Sequence, residues 1–342
     1  MEGERADDAA FEAAQDIGEP AVRARVLWFL GYVLTTVGDL STGERVTDQA
    51  LAGFRSLDDR WGIAAALSDR VSQAMAKGDF TGAKSDAARS AELFQDLGDR
   101  WGQLQASFAL GTLAEITGDY EQAARLHRDG LRMAEELGLW PEVSYQLSWL
   151  GRIALFTRDY SQAWEFHERA MRLAAEQGFK PAEMYAETGL ALVARREGRF
   201  GIAEEHLRTV LEWHRQVGFE AGSTLILAEL GFIAEQRGDV APAKRLQLDG
   251  FALASRGGDP RAIALAMEGL AGAHALAGEH DRAARLLGAA ATARESVGTP
   301  LPGAERGDVD RITATARNAL GEQAFAVEFE RGTKLEADEL IP

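Results

Sequence analysis

The chain has 342 residues, 46% of them hydrophobic, and its 54 acidic and 37 basic side chains give a formal net charge of −17. This charge repels phosphate backbones, and no apolar run reaches the roughly 18 residues that span a bilayer, so we expect neither nucleic-acid nor membrane binding by the chain itself. Cysteine is absent, which excludes disulfides, zinc–thiolate sites and cysteine nucleophiles and indicates the cytoplasm.

A sequence pattern repeats every 40 residues. The segment TGDYEQAARLH at 117–127 returns as TRDYSQAWEFH at 157–167. A glycine, usually followed by an acidic residue, marks one position of the pattern, and a second glycine position follows 20 residues later. The first position holds Gly38, Gly78, Gly118, Arg158, Gly198, Gly238 and Gly278, and the second holds Asp58, Gly98, Gly138, Gly178, Gly218, Gly258 and Gly298. Seven units without an insertion predict a repeat array.

Each position of the pattern has a structural reason. Glycine adopts the left-handed conformation that commonly ends a helix, and the aspartate after it can accept hydrogen bonds from the free N–H groups of the next helix. Each unit is therefore predicted to be a helix A, a tight turn, a helix B and a second turn. The small residues Gly111 and Ala123 are predicted to let the two helices approach closely.

The N-terminal segment looks like a helix B without its helix A. GERADDAAF at 3–11 aligns with GERVTDQAL at 43–51, so residues 1–17 are predicted to form half a repeat. A half repeat at the end of an array leaves an apolar face uncovered unless it acts as a cap. Either this helix is a natural cap or the chain was cut from a longer one, and we favour the second.

The segment after Gly298 departs from the 40-residue pattern. We predict helices over about 303–319 and 322–331 and a short helix from Leu335. The array is thus predicted to occupy residues 1–298, and capping helices to occupy residues 299–342.

Residues Ala109–Gly138 resemble a tetratricopeptide repeat. The small residue of that family's helix A falls on Gly111 and its first alanine on Ala123, while its second alanine position is Gly130 here, a departure. HEAT-type repeats have similar periods but lack the glycine–aspartate turn followed by an alanine. The resemblance implies an all-α, right-handed superhelical solenoid of helix–turn–helix repeats. The period of 40, against the family's usual 34, implies longer helices.

The C-terminal 60 or so residues are similar to the end of large actinobacterial LuxR-type signal-transduction ATPases. The matching elements are AARLLGAA at 283–290 and the spaced residues Leu320, Gly321, Phe325, Phe329 and Gly332. In that family a nucleotide-binding domain precedes a tetratricopeptide array that senses a ligand or partner. This chain contains no P-loop motif and no basic helix-turn-helix, so those parts would lie outside it.

The tetratricopeptide resemblance implies a concave groove lined by the A helices. The residues that fall on the family's groove positions vary between aromatic, basic and acidic, so they are either shaped for a ligand or simply exposed to solvent. Aromatic side chains are poor choices for bare surface and, with arginine, dominate binding hot spots, which favours the first interpretation. The candidate ligand- or partner-binding residues are Trp28, Tyr32, Phe108, Glu115, Tyr145, Arg152, Tyr185, Arg195 and Phe232.

Catalytic and metal chemistry find little support in the sequence. His127 and His167 occupy the same position of successive units, but no third ligand accompanies them, so burial in the packing is favoured over a metal site. No G-x-S-x-G motif occurs, and Glu115 and Arg152 are weak candidates for an active site in the groove. We therefore predict no catalytic residues, no metal and no cofactor.

Two functional hypotheses remain. In the first, the chain is the ligand- or protein-sensing region of a cytoplasmic transcriptional regulator, with a peptide, protein or small-molecule effector in the groove. In the second, it is a free-standing adaptor that holds a peptide or protein partner there. An enzyme with its active site in the groove is the least favoured alternative.

Overall fold

The structure, a computed structural model, describes residues 13–14, 16–37, 39–298, 300–335 and 337–341. Every regular element in these ranges is helical, which confirms the predicted all-α class. Each described unit consists of an A and a B helix of 17 or 18 residues. The half repeat predicted over residues 1–17 falls almost wholly outside the described residues.

The described helices alternate along the chain as predicted. The A helices are α1 Pro20–Val37, α3 Arg60–Lys77, α5 Arg100–Ile116, α7 Trp140–Phe156, α9 Lys180–Arg196, α11 Glu220–Arg237 and α13 Pro260–Leu276. The B helices are α2 Leu40–Ser56, α4 Phe80–Leu97, α6 Tyr120–Leu137, α8 Tyr160–Glu176, α10 Phe200–Val217, α12 Val240–Gly257 and α14 His280–Ser296. A short 3₁₀ turn at Gly303–Glu305 precedes α15 Gly307–Leu320, α16 Glu322–Gly332 and α17 Ala337–Leu340.

The chain divides into two compact units. The N-terminal unit comprises residues 1–115 and 121–139, and the C-terminal unit comprises residues 116–120 and 140–342. The N-terminal unit has a core that includes Leu51, Phe54 and Phe94. In the C-terminal unit one core cluster includes Leu207, Ile226 and Ile233, and another, near the chain end, includes Met267, Leu287, Ile312 and Phe325.

The predicted glycine positions do end the helices in the left-handed conformation. From Gly78 to Gly298, every glycine of the two positions has a φ between 65° and 89°. The two residues that replace glycine there adopt the same conformation, with φ values of 52° at Asp58 and 64° at Arg158. The repeat therefore fixes the backbone conformation even where the side chain opposes it.

Replacing Arg158 by glycine is expected to stabilise the protein. The Arg158 side chain is exposed, and its left-handed backbone costs about 1 kcal/mol that glycine does not incur. The free energy of unfolding in urea should rise by that amount. The matched exposed arginine Arg172, inside α8, should show a loss on replacement by glycine, since glycine weakens a helix interior.

Aspartates cap the B helices at several of the predicted turns. The Asp79 carboxylate accepts a hydrogen bond from the backbone N–H of Gly82 at 2.9 Å, and Asp159 accepts one from that of Gln162 at 3.1 Å. Asp239 makes no such side-chain bond. The capping prediction therefore holds at individual turns rather than throughout.

The small residues of the A helices make room for side chains from the B helices. A Cβ atom added at Gly111 would lie 2.6 Å from His127, and one at Gly151 would lie 2.7 Å from His167. Where the A helix carries Val71, the facing B residue is the small Ala87. The predicted close approach of helices is thus a matched pair of one small and one large side chain.

The C-terminal helices pack on the last repeat through two glycines. A Cβ atom at Gly288 of α14 would lie closer than 3.0 Å to the backbone of α16, and one at Gly332 would lie equally close to the backbone of α14. Phe325 of α16 is buried in the same core cluster as Leu287. These contacts give a packing reason for the glycines and aromatic residues of the C-terminal motif.

Candidate functional site

A cluster of half-buried aromatic rings lies on neighbouring A helices of the C-terminal unit. It consists of Tyr145 and Trp149 of α7, Phe179 just before α9, and Tyr185 of α9, and we call it the aromatic cluster. The ring centroids of Tyr145 and Tyr185 are 5.7 Å apart, those of Tyr145 and Phe179 are 6.0 Å apart, and those of Trp149 and Tyr185 are 6.0 Å apart. Aromatic rings at these separations stabilise a protein by more than the apolar area that they bury.

The repeat explains how these rings meet. Tyr145 and Tyr185 occupy the same position of successive units, and Trp149 follows Tyr145 by one helical turn. Burial and the nearby Glu142 carboxyl raise the pKa of Tyr145, so the phenol keeps its proton at neutral pH and stays available as a hydrogen-bond donor. The cluster combines a large apolar area with polar ring edges, the combination that anchors protein ligands.

Arg152 adds a positive charge one turn after Trp149. Its guanidinium lies 4.8 Å from the centroid of the Phe156 ring, and its side chain is half-buried. An arginine supported by an aromatic face is held in a defined orientation. Guanidinium groups of this kind pair with carboxylates in a defined geometry.

A buried network of charges lies further along α9. The Arg195 guanidinium is bound on one side by Glu229 of α11 and on the other by Asp308 of α15, and it lies 5.3 Å from the centroid of the Phe232 ring. The Arg195 and Glu229 side chains are only 2% and 6% exposed. The burial of both charges is possible because each faces the other.

The helix α15 completes this network from outside the repeats. Arg196 of α9 donates to Asp308 Oδ2 at 2.9 Å, and Gln236 of α11 donates to Asp308 Oδ1 at 3.2 Å. Burial alone would raise the pKa of the Asp308 carboxyl, but the Arg195 and Arg196 guanidinium groups together outweigh burial and hold that pKa far below its usual range. Asp308 is therefore an anion held by cations of the A helices.

The predicted site residues of the C-terminal unit fall into two groups. Tyr145, Arg152 and Tyr185 are half-buried and keep part of their surface in solvent. Arg195 and Phe232 are buried by other side chains of the protein, with 4% and 2% of their surface exposed. The carboxylates that bind Arg195 are thus its own neighbours Glu229 and Asp308.

The predicted site residues of the N-terminal unit do not form a comparable cluster among the described residues. The Trp28 ring packs edge-on against Trp61 with centroids 5.4 Å apart, and Tyr32 stacks on the exposed Phe29 at 6.4 Å. Phe108 lies against the His127 ring with centroids 6.3 Å apart. Glu115 is buried, with 4% of its surface exposed.

Sequence reasoning missed Trp149, Phe179 and Asp308. Trp149 lies one turn from Tyr145, so an aromatic pair four residues apart on a predicted helix was a signal that could have been used. Phe179 occupies a turn position rather than a groove position. For Asp308 no periodic signal exists, because α15 lies outside the repeats.

His167 is fully buried between glycines of two A helices. Added Cβ atoms at Gly151 and Gly189 would both clash with its ring, and neither ring nitrogen has a hydrogen-bond partner. Burial, with a smaller contribution from the positive Arg152, lowers the pKa of His167 to about 3. Within the described residues no group of three metal-ligating side chains occurs around this or any other histidine.

Acid is expected to destabilise the protein through His167. In the unfolded chain its pKa returns to about 6.5, so below that pH the unfolded state binds a proton that the folded state does not. The stability contribution is fully present above pH 6.5 and is lost as the pH falls towards 3. From pH 6.5 to pH 5 the wild type should lose about 1.5 kcal/mol more than His167→Leu in urea unfolding. Parallel pH profiles of the two proteins would contradict the burial of a neutral ring.

A separate cavity of about 490 Å³ lies between α14, α15 and α16. Its apolar wall includes Leu287 and Phe325, and its lining also includes Arg294, Arg306 and Arg317. Each of these arginines binds a carboxylate of the chain, at Glu268, Asp310 and Glu322 respectively. The charges of the lining are therefore neutralised within the chain.

Among the described helices, none is long and apolar enough to cross a membrane. No protein-family model and no curated protein sequence matches the chain.

Solved structures do share its fold. Aspartyl phosphate phosphatase F from Bacillus subtilis is 12% identical with a TM-score of 0.62, over 98% of this chain and 90% of that one. A Rap protein complexed with Competence and Sporulation Factor is 13% identical with a TM-score of 0.61, over 94% and 96% of the two chains. NprR in complex with its cognate peptide NprX is 12% identical with a TM-score of 0.59, over 98% and 90%. At these identities the likeness concerns the fold alone, and the fold of this chain is the helical repeat of tetratricopeptide type that these proteins have in common.

Proposed function

We propose that the chain is a non-catalytic binding module whose ligand is a peptide segment held by the aromatic cluster. The observation that carries the proposal is the chain of contacts among four half-buried rings, three on the A helices α7 and α9 and one just before α9. Rigid aromatic groups provide large contact areas at low entropic cost, which is why they dominate binding hot spots. The complex of NprR with its cognate peptide NprX supports a peptide as the class of ligand, since NprR shares this helical-repeat fold.

We further propose that the array senses this peptide for a larger cytoplasmic transcriptional regulator. This context is supported by a resemblance to the end of such regulators, carried by the C-terminal residues Leu320, Gly321, Phe325, Phe329 and Gly332. NprR, described as a quorum sensor, adds a second reason to consider peptide sensing. Binding would act by favouring one of two conformations of the array.

Selection from a displayed peptide library tests the binding site. Peptides enriched on the wild-type chain should bind Tyr185→Ala about tenfold or more weakly, because a hot-spot aromatic contributes at least about 1.4 kcal/mol. Trp140→Ala is the control, since Trp140 is an exposed aromatic residue of α7 that lies outside the aromatic cluster. Peptides that bind both variants equally, or enrichment of none, would remove the aromatic cluster as the site.

The mass of the natural polypeptide separates the two functional hypotheses. An antibody against the chain should detect a protein much larger than 37.0 kDa in its own cell if the array belongs to a regulator. A band at 37.0 kDa would favour the free-standing adaptor. Native mass spectrometry tests a small molecule as the ligand. If the purified protein exceeds its denatured mass by a few hundred daltons, and Arg152→Ala loses this excess, the ligand is a small molecule and not a peptide.

A further inference from the structure

The Asp308 carboxylate is bound as proteins bind the carboxylate of another molecule. Arg195 donates from Nη1 to Oδ1 at 3.1 Å and from Nη2 to Oδ2 at 2.9 Å, which is the two-pronged geometry of specific carboxylate recognition. Arg196 and Gln236 add one donor each, and Arg311 of α15 adds another at 3.2 Å. Five hydrogen bonds therefore converge on one carboxylate, four of them from α9 and α11.

The next turn of α15 continues the match. Arg311 donates from Nη1 to Glu235 Oε1 at 2.6 Å and from Nη2 to Glu235 Oε2 at 2.7 Å. Ile312 fills the space beside Gly272, where an added Cβ atom would lie 2.9 Å from its methyl group. Thus Asp308, Arg311 and Ile312 of α15 face, in that order, a basic group, an acidic group and a gap between side chains on the A helices.

The neighbouring repeats pack without a charge at the position of Arg195 and Glu235. The position of Arg195 and Glu235 is occupied by Leu155 in the preceding unit and by Ala275 in the following one, and both are buried. Burying ions is costly, and a hydrophobic set of similar volume is often at least as stable. Arg195 pairs with Glu229 inside the repeats, and α15 supplies the further partner of Arg195 and the partner of Glu235.

We propose that the first turns of α15 act as an internal ligand, occupying a subsite for a helical peptide that carries a carboxylate, a guanidinium three residues later and an aliphatic side chain next to it. This inference rests on the proposed peptide-binding function and names the chemistry of part of the ligand. Arg195 lies ten residues after Tyr185 on the same helix, so the subsite and the aromatic cluster are about 15 Å apart along α9. A peptide of a few helical turns is long enough to contact both the aromatic cluster and the subsite. Its carboxylate would take the place of the Asp308 carboxylate.

A peptide copy of α15 tests the subsite directly. The probe is a fluorescent synthetic peptide of residues 303–320, and the binding partners are the full-length wild type and Asp308→Ala. In the wild type the tethered helix has a high effective concentration and should exclude the probe. Asp308→Ala should bind the probe about 30-fold more tightly than it binds the same peptide with alanine in place of Asp308, since losing one partner of a buried charge pair costs that much.

Equal binding of both peptides by Asp308→Ala, or binding of neither, would overturn the proposal. If Asp308→Ala does not fold, hydrogen exchange of the wild type decides. Amides of α15 must then exchange through a local opening, faster than those of α9 and α11. Exchange of all three helices at one rate would show that α15 leaves only on global unfolding, and it too would overturn the proposal.

A second variant separates this inference from the proposed function. If the subsite binds independently of the aromatic cluster, adding Tyr185→Ala to Asp308→Ala should leave the binding of the probe unchanged. The probe should still bind more tightly than the peptide with alanine in place of Asp308. Library peptides that need Tyr185 but are insensitive to Arg195→Ala would uphold the aromatic cluster and remove the subsite. The two ideas can therefore fail independently.

Discussion

Gly332→Ala is expected to destabilise the protein by about 3 kcal/mol and to release the C-terminal helices, because overpacking at a backbone contact forces the helices apart. The added Cβ atom would lie closer than 3.0 Å to the Arg285 carbonyl of α14, and neither backbone can rotate away as a side chain would. Gly288→Ala should have a similar effect from the other side of the same contact, since its Cβ atom would meet the backbone at Phe329.

Urea unfolding and hydrogen exchange measure this effect. Gly201→Ala is the matched control, because Gly201 is an exposed helical glycine with nothing within 4 Å of an added Cβ atom. That control should gain up to about 1 kcal/mol from the better helix propensity of alanine. Amides of α15 and α16 should lose protection in Gly332→Ala. A Gly332→Ala protein as stable as the wild type would contradict the close crossing of α14 and α16.

Arg195→Ala is expected to cost about 4 kcal/mol of stability, because it takes away the counter-charge that two buried carboxylates share. Glu229 and Asp308 would then face each other in a site that excludes water, with Arg196, Gln236 and Arg311 as the remaining donors to Asp308. Removing Asp308 as well takes away one of the stranded charges. The double variant should therefore be more stable than the sum of the two single changes predicts, by about 2 kcal/mol.

A double-mutant cycle in urea at two salt concentrations measures this coupling. The exposed pair Arg172–Glu168 of α8, with side chains 63% and 50% exposed, is the control and should show a coupling of no more than about 0.5 kcal/mol that fades with salt. The coupling of Arg195 to Asp308 should persist in salt, since the pair is shielded from ions. Additive effects would show that the two side chains do not interact in solution.

The helices and their turns could be predicted from the sequence because every repeat ends its helices with the same local backbone conformation. The left-handed turn positions were predicted as a column, and Arg158 follows that column although arginine itself disfavours the conformation. The local steric rule thus has less influence than the packing of the neighbouring helices. The boundaries of α15 and α16 were predicted to within a few residues for the same local reasons.

The placement of α15 could not be predicted in this way. Asp308 and Arg195 are 113 residues apart, and their pairing depends on how a segment outside the repeats crosses the A helices. Arg195 was predicted as a ligand- or partner-binding residue from its position in the repeat, and in the structure it binds the Asp308 carboxylate. That the carboxylate belongs to the same chain is information held only in the tertiary structure.

The matched pairs between A and B helices also limit how such an array can lengthen. A 40-residue piece such as 140–179 carries Gly151 and His167 together, so a tandem copy keeps that pair intact. Its His167 ring, however, also needs the glycine that the following unit supplies at Gly189. Moved ahead of residues 60–99, the ring would meet Asp69 at that position instead. Units of equal length are therefore not interchangeable, and a successful duplication must either copy two neighbouring units or change the residue that follows.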